Sequence, residues 1–276
     1  MDQRKIVEDG YDAIADRFGE WRAAIKGSPD DEWLDLLLTK LPKQADVLEL
    51  GSGQGLAARR IVAAGHCYLG VDISREQVRR ARELVPQAEF RHGDAIELEL
   101  DADSLDAVIS LYAFGHLPRA ELPALLSRIA ASLRVGGYLL ATFGRSGWEG
   151  VEDDFLGVPM FFGSYADEET QELLLSAGFE LERVEVVSIE EPEGPASFLW
   201  ILAAQMRFGG TPDGNTSSTQ LKGETVDRDR IEGELKEQEG KLTGDEVREK
   251  QGQTQEKWGE AKDKTDDLKD EIDDRI

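Results

Sequence analysis

One segment limits the possible folds of this chain more than any other. Residues 46–50 form a short apolar run, the glycine-rich turn GSGQG follows at 51–55, and a helical pattern begins at residue 56. A buried strand that enters a helix through such a turn is typical of α/β folds with a parallel sheet. The glycines permit a tight turn and let the backbone approach a bound ligand closely.

Strand-like and helix-like segments alternate after this unit. Gly136 and Gly137 are expected to end the helix at 121–133. Only a Pro/Gly/Glu-rich turn separates the last two strands, which indicates an antiparallel edge hairpin. The predicted fold class is α/β, a doubly wound, seven-stranded, mostly parallel sheet with that hairpin at one edge. Strands are predicted at 46–51, 67–73, 88–94, 106–113, 138–143, 181–189 and 197–204, and helices at 56–65, 75–84, 121–133 and 167–178.

Charge and cysteine content exclude several classes of protein. The 276-residue chain has a net charge of −25. Proteins that bind nucleic acids neutralise phosphates with clustered lysines and arginines, so neither a nucleic acid nor an anionic membrane is an expected partner. The single cysteine, Cys67, excludes an intramolecular disulfide framework and a multi-cysteine zinc site. The histidines lack metal-site spacing, so no metal is predicted.

The composition changes near Phe208, where the apolar runs stop. We therefore predict a folded domain at 1–208, a flexible Gly/Ser/Thr-rich linker at 209–221 and a hydrophilic tail at 222–276, partly helical or disordered. The N-terminus lacks the apolar stretch of a secretory signal, and no run approaches the ~20 apolar residues of a membrane span. The expected location is the cytoplasm.

Acidic residues follow two of the predicted strands. Asp72 ends the second strand, about 20 residues after the glycine turn, where a carboxylate can accept the hydroxyl protons of a ribose. Asp94 follows the third strand, where a carboxylate can accept from the exocyclic amine of an adenine. Ile73 offers an apolar face for the adenine ring. The carboxyl ends of parallel strands share one edge of a sheet, so we expect these side chains to meet there.

These motifs resemble those of the class I S-adenosylmethionine-dependent methyltransferases, whose fold is Rossmann-like. The family pattern is matched from Val47 to Gly55, and the resemblance extends through Gly70-Val71-Asp72, Gly93-Asp94-Ala95 and 106–111. It implies that S-adenosyl-L-methionine is the cofactor, with its methionine part near Gly51 and Leu111. The cofactor-binding residues that it implies are Tyr11, Glu49, Gly51, Ser52, Gly53, Gly55, Asp72, Ile73, Asp94, Ala95 and Leu111.

A nicotinamide dehydrogenase is the main rival interpretation. Its fingerprint is G-x-G-x-x-G, whereas the sixth position here is Leu56 and the third glycine comes one residue early, at Gly55. The Gly93-Asp94-Ala95 element also favours S-adenosylmethionine. We therefore predict methyl transfer to a small-molecule acceptor. Two alternatives stay open: a stress-related interaction protein that binds the cofactor without turnover, and a methyltransferase that acts on proteins.

Three further features concern the reaction. His116 follows the fourth strand, where it could act as a general base; the alternative is that it only shapes its loop. The resemblance makes 11–21 an N-terminal lid, with Tyr11 at the cofactor. The aromatic-rich segment 144–167, between the fifth strand and the next helix, is expected to be a loop that builds the acceptor pocket.

The tail shows a second resemblance. Residues 229–233 (DRIEG) and 241–246 (KLTGDE) are similar to the CsbD-like stress-response proteins, which are small hydrophilic bacterial proteins. The resemblance covers about 222–265 and implies a bacterial stress context. It leaves two interpretations open, a segment that contacts a protein partner and a charged tail that only aids solubility.

Overall fold

The computed structural model describes residues 2–206. The boundary near 208, the linker and the CsbD-like tail lie outside the described residues. The helices are α1 (Gln3–Ala24), α2 (Asp30–Lys40), α3 (Leu56–Ala63), α4 (Arg75–Leu84), α5 (Leu122–Ser132) and α6 (Asp167–Ser176). The strands are β1 (Asp46–Leu50), β2 (Cys67–Asp72), β3 (Glu89–His92), β4 (Leu105–Ser110), β5 (Leu133–Phe143), β6 (Glu149–Phe155), β7 (Val158–Gly163), β8 (Phe179–Glu191) and β9 (Gly194–Gln205).

The main sheet has seven strands in the order β3-β2-β1-β4-β5-β9-β8. The pairs from β3 to β5 are parallel, and β9 runs antiparallel to both β5 and β8. This arrangement confirms the predicted fold class. The chain leaves β1 toward β2 on one side and reaches β4 on the other, so a crevice opens at the carboxyl ends of β1 and β4.

Both faces of the sheet are covered because neighbouring residues in a strand point to opposite faces. In β1, Val47 packs into a cluster with residues of α2, α3 and α4, whereas Leu48 packs into a cluster with residues of α5 and α6. In β4, Ile109 packs into the cluster with α2, α3 and α4, and Val108 packs into the cluster with α5 and α6. The helices therefore lie on both faces, as in other doubly wound folds. Within residues 2–206, no helix combines the length and the apolar character needed to cross a bilayer.

The prediction that Gly136 and Gly137 end α5 is wrong. The helix ends at Ser132, and both glycines lie inside β5. The pairing of β4 with β5 shifts register between Leu105 and Ala107. A Cβ atom at Gly137 would lie 2.9 Å from the Arg134 carbonyl oxygen, so the irregularity itself requires a glycine.

The segment 144–167 is not the loop predicted from the sequence. It contains a two-stranded antiparallel hairpin, β6 and β7, that stands apart from the main sheet. Met160 and Phe161 of β7 are buried against Val7 and Ile14 of α1. The contact explains the strand, because a partner helix covers its apolar side chains.

Candidate functional site

A cavity of about 750 Å³ lies at the carboxyl edge of the sheet, under α1. Its walls come from the glycine turn, from the ends of β2 and β4 and from the loop after β3. Of the predicted cofactor-binding residues, Gly55 is not in these walls. The wall contains the others, together with His116: Tyr11, Glu49, Gly51, Ser52, Gly53, Asp72, Ile73, Asp94, Ala95 and Leu111.

The glycine turn is held against β2 by its backbone. The amides of Gly51 and Ser52 both donate to the Val71 carbonyl, at 2.8 and 3.1 Å. Gly51 has a φ of +73°, and a Cβ atom there would lie 2.1 Å from the Cβ atom of Ala113. Gly53 has a φ of +50°, and a Cβ atom there would meet nothing within 4 Å, so this backbone faces open space. At Gly55, by contrast, a Cβ atom would lie 2.7 Å from Cζ of the Phe90 ring, so this glycine packs against that side chain.

Asp72 joins the glycine turn to the end of β2. Its carboxylate accepts from the Gly53 amide at 2.7 Å and from the Ser74 amide at 2.9 Å. Burial raises the pKa of this carboxyl from 3.8 to about 6, although both amide bonds favour the charged form. Each carboxylate oxygen has a second lone pair, so both can still accept from a ligand hydroxyl.

Glu49 lines the cavity and is buried. It accepts a hydrogen bond from the Tyr68 hydroxyl. Burial raises the pKa of Glu49 from 4.5 to about 8, against the opposing effect of the Tyr68 bond. The carboxyl is therefore mostly protonated at neutral pH, and it adds little negative charge to the cavity.

The loop after β3 is linked to the lid helix α1. Asp94 accepts from the Ile96 amide at 2.8 Å, and its other oxygen lies 3.4 Å from the Arg4 guanidinium. Arg4 also donates to Glu97 at 2.8 Å. The segment predicted to be a lid thus belongs to α1, and Arg4 near the start of this helix pairs with Asp94.

His116 lies between α1 and the hairpin. Its Nδ1 lies 2.9 Å from the Phe161 carbonyl, which can only accept, so Nδ1 carries the proton. Nε2 then accepts from the Tyr11 hydroxyl at 2.8 Å. Burial lowers the pKa of His116 from 6.5 to about 4 and raises that of Tyr11, so both are neutral at pH 7. The histidine lone pair points at Tyr11 in this conformation.

Sequence reasoning missed a polar cluster at the far end of the cavity. Asp30 accepts from Arg22 at 2.5 Å, from Ser28 at 2.6 Å and from the Tyr112 hydroxyl at 3.0 Å. The Arg22 guanidinium also lies 4.3 Å from the centre of the Tyr112 ring. Tyr112 has a φ of +60°, a strained conformation that functional sites often keep. Local spacing does not signal this cluster, because Tyr112 joins it from 82 positions beyond Asp30.

A second cavity of about 250 Å³ adjoins the first, and Tyr112 and His116 line both. Its other aromatic walls are Trp148, Phe162 and Phe198. Three hydroxyl groups and one carboxylate complete the polar part of the wall. They belong to Thr142, Ser146, Ser164 and Glu152.

Comparison with known proteins identifies the central segment. Residues 47–137 match the family described as methyltransferase domain. These residues are therefore similar to a methyltransferase domain. A relative of this chain from Mycolicibacterium smegmatis, a probable S-adenosylmethionine-dependent methyltransferase, is 33% identical over 139 residues, which cover 50% of this chain and 52% of that protein. The chain spans about half the length of the curated relatives that it matches.

Solved structures share the fold of the described residues. Magnesium protoporphyrin IX methyltransferase from Synechocystis PCC 6803, solved with bound S-adenosylmethionine, is 20% identical with a TM-score of 0.55, and the match covers 74% of this chain and 98% of that one. The cyclase SpnF is 16% identical with a TM-score of 0.56, covering 72% of this chain and 94% of that one.

The walls of the cavity fit S-adenosylmethionine. The open side of Gly53 leaves room for a ligand against the backbone, and Asp72 is placed to accept from ribose hydroxyls. The volume of about 750 Å³ lies within the range of small-molecule sites. Ten of the eleven cofactor-binding residues expected from the motifs therefore line one cavity of suitable size.

Proposed function

We propose that this protein transfers a methyl group from S-adenosylmethionine to a small-molecule acceptor. The observation that carries the proposal is the glycine turn, bonded to Asp72 and facing a cavity of suitable size. When bound, S-adenosylmethionine supplies a methyl group on a positively charged sulfur, which a nucleophile can displace. The work left to the protein is to align the two molecules and exclude water.

The second cavity supports a small acceptor. It adjoins the cofactor cavity through Tyr112 and His116, so a molecule held there would lie beside the cofactor. Its volume of about 250 Å³ suits a small organic molecule and not a folded protein surface. Glu152 is the one charged side chain in its wall, which favours a neutral or cationic acceptor over an anion.

His116 is our candidate for the general base. Its Nε2 carries a lone pair at neutral pH and accepts from the hydroxyl of Tyr11, which also lines the cavity. An acceptor proton would reach Nε2 as Tyr11 passes on its own hydroxyl proton. The alternative is that the pair holds α1 against the hairpin, since His116 also bonds to Phe161 of β7.

Binding without turnover is the second candidate function. The structural similarity to a cyclase favours keeping it, because that protein has the same fold and a different named activity. Methylation of a protein is a third outcome of the tests below. The CsbD-like segment supports a protein partner by sequence resemblance alone, and a stress-related role follows from the same resemblance.

Calorimetric titration with S-adenosylhomocysteine tests the cofactor site. We expect micromolar binding by the wild type and a loss of at least about tenfold in Asp72→Ala, since two ribose hydrogen bonds are removed. Glu172→Ala, an exposed acidic residue on α6, is the matched control and should bind like the wild type. Absence of binding by the folded wild type would refute the proposal.

A turnover assay separates the candidate functions. Formation of S-adenosylhomocysteine with members of a panel of small acceptors supports the first, and methylation confined to added proteins supports the third. Binding without any turnover supports the second. His116→Asn retains a donor toward Phe161 but lacks Nε2, so a general base predicts a fall in kcat of about 10²–10⁴ with unchanged cofactor affinity. An unchanged kcat would leave His116 with a purely structural role.

A further inference from the structure

Gln77 is a buried polar residue in the wall of the cofactor cavity that the motifs do not explain. It lies in the first turn of α4 and is 1% exposed. The other buried residues of α4 are Val78 and Ala81, both apolar. Its backbone amide donates to the Ser74 hydroxyl at 3.1 Å, so the helix is capped without help from the Gln77 side chain.

The side-chain amide of Gln77 has no hydrogen-bond partner among the described residues, at either Nε2 or Oε1. A buried carboxamide without partners is unfavourable, because it has lost its bonds to water and gained none in return. Folded proteins satisfy the large majority of such groups, with protein, water or ligand. A residue that lines a cavity and lacks protein partners is therefore suited to a ligand that brings both a donor and an acceptor.

The surroundings of Gln77 place it next to the residue expected to bind the ribose. The Ser74 hydroxyl caps Gln77, and the Ser74 amide in turn donates to Asp72, the ribose-binding candidate. One short segment thus presents both Asp72 and Gln77 to the cavity. Asp94, which the motifs assign to the adenine amine, already accepts from the Ile96 amide and lies beside Arg4.

The chemistry of a carboxamide matches one edge of adenine. The exocyclic amine at N6 is a donor and N7 beside it is an acceptor, and a glutamine can pair with both at once. On the other side of the amine lies N1, which leaves that edge to Asp94 and Ala95. We propose that Gln77 binds the N6/N7 edge of the cofactor adenine and thereby selects the adenine ring. The inference rests on the proposed cofactor.

The test compares Gln77→Met with the wild type in two measurements. Methionine has a similar volume and helix propensity but no donor or acceptor. We expect S-adenosylhomocysteine to bind about tenfold more weakly, as two hydrogen bonds are lost. The ligand-free variant should have a Tm equal to or higher than that of the wild type, because an unpaired buried amide is replaced by an apolar group. Gln87→Met, at an exposed position after α4, is the matched control and should change neither value.

A ligand analogue tests the edge itself. The 7-deaza-adenine analogue of S-adenosylhomocysteine lacks the N7 acceptor, so it should bind the wild type several-fold more weakly than the parent compound. Gln77→Met should bind both compounds alike. The proposal is overturned if Gln77→Met keeps wild-type affinity, which is the result expected if a bound water satisfies this amide. It is also overturned if the 7-deaza analogue loses the same affinity, relative to the parent compound, in both proteins. If the wild type binds neither compound, the proposed function is overturned as well. If the wild type binds the parent compound and one of the two contrary results is found, only the role of Gln77 is overturned.

Discussion

At the scale of single residues, burial determines the charge of this site more than composition does. The chain is strongly acidic, yet the two carboxyls nearest the glycine turn have raised pKa values, about 8 for Glu49 and about 6 for Asp72. His116 is neutral for the same reason. Glu49 and Asp72 therefore give the cavity less negative charge than two ordinary carboxylates would.

The raised pKa of Glu49 predicts a pH-dependent stability. Between pH 4.5 and about 8 the folded state keeps a proton that the unfolded state has lost, so the free energy of unfolding falls as the pH rises through this window. Glu49→Gln cannot ionise and escapes this loss. We expect its stability relative to the wild type to increase with pH, by at most about 1.4 kcal/mol per pH unit.

Urea unfolding of both proteins at pH 5 and pH 8 measures this difference. Glu172→Gln, with an exposed carboxyl on α6, controls for the change in net charge. Equal differences at the two pH values would show that Glu49 ionises normally in the folded protein. The lowered pKa of His116 makes the free energy of unfolding rise with pH, opposite to the effect of Glu49. This contribution cancels in the comparison, because both proteins contain His116.

At the scale of elements, α1 is both a wall of the cavity and its cover. Its inner face packs on β7 through Val7 and Ile14, and its polar side is bonded to α4. Asp12 accepts from the Ser74 hydroxyl at 2.6 Å and from the Glu76 amide at 3.0 Å. We expect a bound cofactor to leave as these contacts open, so that the bonds of Asp12 limit its release.

We therefore expect Asp12→Ala to release S-adenosylhomocysteine faster. Asp12 does not line the cavity, so the change weakens the closed lid without removing a ligand contact. Loss of two charge-assisted bonds at a partly exposed site predicts a dissociation rate about tenfold higher. Stopped-flow chase experiments measure this rate. Asp9→Ala, on the same helix with its ion pair confined to Lys5, should release at the wild-type rate. Equal rates for the two variants would argue against the lid.

At the scale of the whole molecule, the cofactor site and the C-terminal tail are separate in sequence. The cavity walls come from residues between Arg4 and Pro118, and the last strand of the sheet, β9, ends at Gln205. A chain that ends at Gly210 keeps every described element. We expect it to bind S-adenosylhomocysteine within about twofold of the full chain, as measured by calorimetry.

A shorter truncation provides the contrast. A chain that ends at Glu193 lacks β9, which pairs with both β5 and β8 in the middle of one half of the sheet. It should fail to fold, because the edges of β5 and β8 and the core residues that pack on β9 lose their partners. A large loss of affinity at Gly210 would show that the tail contributes to the site.

The sequence by itself determined the elements whose signals are local. Alternating apolar runs and helical patterns predicted the seven-stranded sheet, and the spacing of Gly51, Asp72 and Asp94 predicted one shared edge, which the cavity confirms. The physical reason is that strand and helix periods act over a few residues. The carboxyl ends of parallel strands must also meet, whatever the loops between them do.

Only the tertiary structure decided the contacts that join distant segments. Tyr11 reaches His116 across 105 positions, and Tyr112 reaches Asp30 across 82. The hairpin of β6 and β7 forms where the sequence predicted a loop, because α1 covers the apolar residues of β7. The charged sequence of α4 predicts that Gln77 is a surface residue, whereas the packing of the surrounding elements buries it. Such contacts depend on how whole elements pack, and no local period in the chain encodes that packing.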